Sequence, residues 1–282
     1  MKRSGSLGAA LAFTCMLGCG QKAPGTEAGD MAGTDPGPGA DLSDPAPDLT
    51  GPAGQELNLT GVWASRIVNA QIFDSMLLGK DTVFVTTLAR VEVTQSGLMV
   101  TGKNKVCDVS LTPFKNNQTT YPAAALNAIP EDVVTSTLSA NAVGAKYSVP
   151  KRVQLIGWRT NANPETDSLP TDPKDARVQD ADGDGKPGVT LEIKGLVTGK
   201  VYVVNRSIIE NSGIVNSADR IAGPNKTAQV QVVLDADPAL LKSPVKTEQD
   251  PDASKSTFLL VRIKGAQNDC AYIKANAGTL FK

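Results

Sequence analysis

The feature that most constrains the fold is a series of short β-favouring segments that runs from residue 60 almost to the C-terminus. Val83–Leu88 and Val230–Leu234 have the strongest strand composition, because β-branched and aromatic residues dominate them. Gly, Asn, Pro and Asp separate the segments, and Gly195–Gly199 predicts a hairpin connection. About ten strands with few helices predict a mainly β domain, either an antiparallel barrel or a sandwich. The candidate strands are Thr60–Val68, Thr82–Thr94, Leu98–Thr101, Val106–Leu111, Arg152–Trp158, Val189–Ile193, Val201–Ser207, Ala228–Leu234, Thr257–Ile263 and Ala271–Lys274.

Helical signals are few and short. Pro130–Val134 places a proline and two acids in a first turn, which predicts a short helix. Asp237–Leu241 predicts the start of another. Neither is long enough to change the fold class.

The N-terminus has the pattern of a secretory signal. Two cations, Lys2 and Arg3, precede an apolar run from Leu7 to Leu17, which is too short to span a hydrocarbon core of roughly 30 Å. Met16-Leu17-Gly18-Cys19 resembles the cleavage site of bacterial lipoproteins, and this resemblance implies a lipid on Cys19 and, with Gly20 next, sorting to the outer membrane. Cys15 is a rival acceptor with a poorer preceding sequence, and secretion without a lipid is the simpler alternative.

A second compositional boundary follows the signal. Residues 20–55 are rich in Gly, Pro, Ala and Asp and contain few large apolar side chains, so they cannot bury enough surface to offset the entropy of ordering. The sequence therefore predicts three parts: a signal peptide at 1–18, a lipidated Cys19 with a disordered tether to residue 55, and a β-rich domain at 56–282.

Two cysteines remain in the predicted domain, Cys107 and Cys270. In an oxidising envelope compartment such a pair forms a disulfide, and both residues fall next to or within candidate strands. Two buried free thiols are the alternative. No Cys-x-x-Cys spacing is present, so a redox role is not expected.

An acidic loop at residues 180–188 is the sharpest chemical motif. Carboxylates alternate in Asp180-Ala181-Asp182-Gly183-Asp184, and such oxygen ligands suit a hard cation such as Ca²⁺. The pattern resembles the Asp-x-Asp-x-Asp-Gly calcium loops, which implies side-chain ligands from the three aspartates and a carbonyl ligand from Lys186. The twelfth loop position is Leu191 rather than Glu, so an EF-hand is rejected. A solvated acidic turn is the alternative interpretation.

Composition excludes several functional classes. The chain contains no histidine, which removes Ser-His-Asp and Cys-His nucleophile systems and every His-ligated metal site. Acidic and basic residues nearly balance in the predicted domain, and aromatic residues are scarce, so nucleic acid is not an expected partner. We expect a protein that is not an enzyme, although a hydrolase based on a carboxylate pair remains a third option.

Gly61-Val62-Trp63 opens the first candidate strand and resembles the Gly-x-Trp signature of lipocalins and the wider calycin group. That resemblance implies a calycin-like barrel in which Trp63 closes one end. The order of lipobox, tether, Gly-x-Trp strand and acidic loop is similar to lipoproteins of myxobacteria, which implies no established activity. We therefore expect a lipid-anchored, non-catalytic envelope protein that binds an apolar small molecule or another envelope protein. A structural or adhesive surface module is the alternative.

Overall fold

The structure is a computed structural model that describes residues 56–76, 78–243 and 245–282. It confirms a mainly β chain: eleven strands form one sheet, and all ladders between named strands are antiparallel. The strands are β1 (Gly61–Ser75), β2 (Gly79–Ser96), β3 (Met99–Leu111), β4 (Gln118–Thr120), β5 (Asp132–Leu138), β6 (Lys146–Ile156), β7 (Val189–Lys194), β8 (Gly199–Ser217), β9 (Arg220–Asp237), β10 (Val245–Gln249) and β11 (Thr257–Arg262).

Eight of the strands close into a ring. Following the hydrogen-bonded neighbours from β1 through β2, β3, β5, β6, β8, β9 and β11 leads back to β1. Closure pairs strands that are distant in sequence, such as Trp63 on β1 with Arg262 on β11. A closed sheet leaves no free edge along this path, as the sequence predicted for a barrel.

Three long strands each divide one of their edges between two partners. β1 pairs with β11 along its first half and with β10 at Gln71–Ser75. In the same way β3 divides its edge between β5 and β4, and β8 divides its edge between β6 and β7. The barrel therefore has two ends with different walls, which we call the closed end and the open end. The closed end holds Trp63, and the open end holds Ser75.

The interior of the closed end is filled. Trp63 packs there in one apolar cluster with Leu59, Val91, Phe258 and Leu260. The indole Nε1 donates to the Leu59 carbonyl oxygen at 2.8 Å, so its polar atom is satisfied. Trp63 thus packs in the core at one barrel end.

In the described part of the chain, two α-helices accompany the sheet, α1 (Ala123–Asn127) and α2 (Cys270–Leu280). Helix α2 packs on the outer face of the barrel, with Ile273 and Phe281 buried against Ala64 and Leu259. A disulfide joins Cys107 on β3 to Cys270 at the start of this helix, with 5.0 Å between the Cα atoms. The bond therefore fastens a helix to the barrel.

Two secondary-structure predictions were wrong. Ala271–Lys274 lies in α2 rather than in a strand, because the Asp269 side chain caps the helix by accepting from the Tyr272 amide at 2.8 Å. The helix predicted at Pro130–Val134 is absent: Asp132 begins β5, and its β-branched valines pair with β3. The helix predicted to begin at Asp237–Leu241 is a short 3₁₀ helix, Ala239–Lys242.

Among the described residues, the helices are too short or too polar to form a membrane span.

Candidate functional site

The open end of the barrel contains an apolar cavity of about 340 Å³, which is within the range of small-molecule sites. Its walls come from strands on opposite sides of the barrel, including Phe73 on β1, Leu111 on β3 and Ile193 on β7. Phe73 and Phe114 stack within it at a centroid separation of 5.6 Å. Lys242 is the only charged residue among the described residues that line it.

Burial in the cavity wall changes the pKa of one ionisable residue. Tyr121 lines it, and burial raises the pKa of this phenol to about 12. Burial disfavours the charged phenolate, so the side chain stays neutral at ordinary pH. At the rim, Leu78, Leu240 and Val245 each expose more than a third of their surface. The open end is therefore apolar from its rim inward.

A hydrogen bond between two glutamines that line this cavity joins β1 to β9. Gln71 Nε2 on β1 donates to Gln229 Oε1 on β9 at 3.0 Å. Because side chains alternate along a strand, Asn69, Gln71 and Phe73 share the inner face of β1. The inner face of this strand changes from polar to apolar over those three positions.

A smaller cavity of about 110 Å³ has both polar and apolar walls, and we call it the polar chamber because Asn69, Asp132 and Arg152 line it. Val85 and Gln229 line both spaces, so the polar chamber adjoins the apolar cavity. Arg152 on β6 and Asp132 on β5 line the chamber and form an ion pair. Asn69, on the inner face of β1, also lines the chamber.

The acidic loop brings its three aspartates together. One carboxylate oxygen from each of Asp180, Asp182 and Asp184 lies within 4.8 Å of the others. Asp180 accepts hydrogen bonds from three backbone amides of the following turn, at 2.9 to 3.1 Å. Thr190, on β7, donates its amide to Asp182 at 2.8 Å and its hydroxyl to Asp184 at 2.7 Å. The loop is therefore ordered against the start of β7.

Asp182 is the least satisfied carboxylate of the three. Its Oδ1 is buried without a hydrogen-bond partner. Burial, followed by the nearby Asp184 and Asp180 carboxylates, raises the pKa of Asp182. Lys186 is tied to the cluster through its amide, which donates to Asp184 at 2.9 Å, while its ammonium lies 5.5 Å from the Tyr202 ring centroid.

Sequence reasoning missed the residues of the two cavities. A signal was present in β1, where Asn69 and Gln71 occupy alternate positions beside Ala70 and Ile72. Alternation of this kind shows two faces but does not show which face is inside. Trp158, at the end of a candidate strand, is buried on the outer face of the barrel, and its indole Nε1 donates to the Asn205 carbonyl oxygen at 2.9 Å. Cys19 and the signal and tether segments lie outside the described residues.

Comparison with family models, with curated proteins and with solved structures finds no match for this chain.

Proposed function

We propose that this protein is a lipid-anchored, non-catalytic envelope protein that binds an apolar small molecule at the open end of its barrel. The observation that carries the proposal is the cavity of about 340 Å³, with aromatic and aliphatic walls contributed by several strands. An interior space of this kind is typical of ligand sites, since burial of an apolar ligand releases its surface from water. The filled closed end supplies a rigid base for the site.

Binding is tested with N-phenylnaphthylamine, a neutral apolar probe whose fluorescence rises in apolar surroundings. Saturable binding to the full chain is expected. Thr119→Phe should weaken it at least about tenfold, because Thr119 lines the cavity and the added ring occupies the space. Thr120→Phe is the matched control, since the neighbouring residue of β4 is exposed. A wild-type protein without saturable binding would refute the proposal. Native mass spectrometry of protein from its own host then identifies any retained ligand.

We further propose that the acidic loop binds a structural Ca²⁺ ion. The support is the close approach of the Asp180, Asp182 and Asp184 carboxylates, whose mutual repulsion a divalent cation would relieve. Backbone amides and Thr190 already satisfy part of this charge, so the expected role is to rigidify the loop before β7.

Thermal melting tests the ion. The wild type should melt higher in CaCl₂ than in chelator, because an ion that binds only the folded state adds about 2.7 kcal/mol at a hundredfold excess over Kd. Asp182→Ala should abolish the difference. Asp235→Ala, which removes an exposed carboxylate of β9, should retain it. Equal melting temperatures of the wild type in both conditions would exclude the calcium site.

A further inference from the structure

Two buried hydrogen-bond acceptors of β1, one at the polar chamber and one at the adjoining apolar cavity, have no partner within the protein. Asn69 and Gln71 are 4% and 2% exposed, and neither Asn69 Oδ1 nor Gln71 Oε1 has a hydrogen-bond partner. Both atoms are acceptors on the inner face of β1, where Asn69 lines the chamber and Gln71 lines the apolar cavity. Burial of an acceptor that loses its water without gaining a donor costs free energy of folding. We therefore expect a donor from outside the chain to pair with these two atoms.

The same chamber offers a donor but little net charge. Arg152 Nε is also buried without a partner. Its guanidinium is neutralised by Asp132, and these two are the only charged residues among the described residues that line the chamber. An anion that bound here would lose its hydration without gaining a free cation, because Arg152 is already paired with Asp132. A neutral group that both donates and accepts matches the unpaired atoms better.

The position of the chamber relative to the apolar cavity decides how such a group would arrive. Val85 and Gln229 line both spaces, and the apolar cavity leads on to the exposed rim at Leu78 and Leu240. A molecule that fills both spaces must have a polar end and an apolar end. Its polar end must point toward the closed end of the barrel.

We propose that the ligand is an amphiphile with an uncharged, hydrogen-bond-donating head, such as a hydroxyl or an amide N–H, bound head-first. The head lies in the polar chamber and donates to Asn69 Oδ1, while the chain occupies the apolar cavity. This inference rests on the proposed function and adds the chemical class and orientation of the ligand. Its rival is a chamber that holds only buried water, which also pairs with such atoms.

The test compares ligands that share one chain and differ in the head. The full chain is loaded with N-phenylnaphthylamine at neutral pH, and displacement of the probe is measured with three competitors: dodecanol, dodecyl methyl ether and dodecanoate. Dodecanol is expected to bind about tenfold more tightly than the ether, which accepts but cannot donate, and more tightly than the carboxylate. Asn69→Leu should reduce the preference for the alcohol over the ether to near unity without loss of probe binding.

Asn211→Leu is the matched control, since Asn211 is 6% exposed, also has an unpaired Oδ1 and lines neither cavity. This variant should keep the preference for the alcohol over the ether, even if the substitution lowers its stability. If Asn69→Leu does not fold, Asn69→Val removes the same acceptor with a residue suited to a strand.

The outcomes separate the two proposals. Equal affinity for alcohol and ether, or a preference for the carboxylate, would overturn the head-first neutral amphiphile and leave the apolar site standing. Retention of the alcohol preference in Asn69→Leu would also overturn it. If neither probe nor amphiphile binds, the proposed function itself fails.

Discussion

At the residue scale, two glycines decide how closely the long loop between β6 and β7 approaches the barrel. Gly157 and Gly188 stand at the two ends of this loop, both with positive φ, at 76° and 84°. A Cβ on either glycine would meet the backbone of β8 at the Val203 carbonyl oxygen. Only glycine combines that conformation with that proximity. Trp158, next to Gly157, can then bury its indole against the outer wall.

Gly188→Ala should lower the free energy of unfolding by about 3 kcal/mol or more, since the strain of a left-handed alanine is added to overlap with Val203. Gly183→Ala is the control, because Gly183 has a φ of 72° but nothing within 4 Å of its Cβ position. Gly183→Ala should lower the free energy of unfolding by only about 1 kcal/mol, because the strain of the left-handed backbone is its only cost. Urea unfolding measures both, and equal effects would show that the contact with Val203 does not matter.

At the element scale, α2 shows how a helix can replace an expected strand without changing the architecture. Tyr272 and Ile273 belong to a segment that is compatible with a strand, but the segment is short and follows an Asp that caps a helix. Ile273, Ala277 and Phe281 then recur at helical spacing and pack on the outer wall. The disulfide from Cys270 ties the first turn of this helix to β3.

Cys270→Ser should lower the free energy of unfolding by as much as about 5 kcal/mol in the chain-entropy model, because the bond closes a loop with a sequence separation of 163. Cys107→Ser should have the same effect, and the double variant should be no worse than either single one. Denaturant titration of the wild type with and without reductant provides the comparison. An unchanged midpoint on reduction would contradict the prediction.

At the scale of the whole molecule, the two ends of the barrel differ in a way that suits a binding protein. About twelve residues of β1 separate Trp63 from Ser75, or roughly 40 Å along the strand. Arg262 covers the Trp63 ring at 4.7 Å and donates to the Asn58 and Thr60 carbonyl oxygens, which fixes the start of the described chain at the closed end. The open end, with its cavity and apolar rim, lies away from that segment.

The proposed anchor is tested by Cys19→Ser, which removes the residue expected to carry the lipid. The variant should leave the membrane fraction and appear as soluble protein with the melting temperature of the wild type. Fractionation of the native host followed by thermal melting measures both properties. A variant that stays with the membrane would argue against the lipid anchor, and one that is misfolded would contradict the division into tether and domain.

Much of the fold was predictable from local sequence. The segments around Val83–Leu88 and Val230–Leu234 form strands because β-branched side chains suit an extended backbone, and Gly195–Gly199 connects a hairpin as expected. The acidic loop could be found because its aspartates are close in sequence. Each of these features depends on neighbours along the chain.

The cavities depend instead on contacts between distant residues. Closure of the ring decides that Asn69 and Gln71 face inward, and it brings Gln229 from 158 positions away into contact with Gln71. The split edges of β1, β3 and β8 build the walls of the two ends from different strands. The sequence by itself determined most of the long strands, the two cysteines as a candidate pair and the acidic loop, because these follow from residue type and spacing. Only the tertiary structure decided the inside of the barrel, because strand register and closure are set by the whole chain at once.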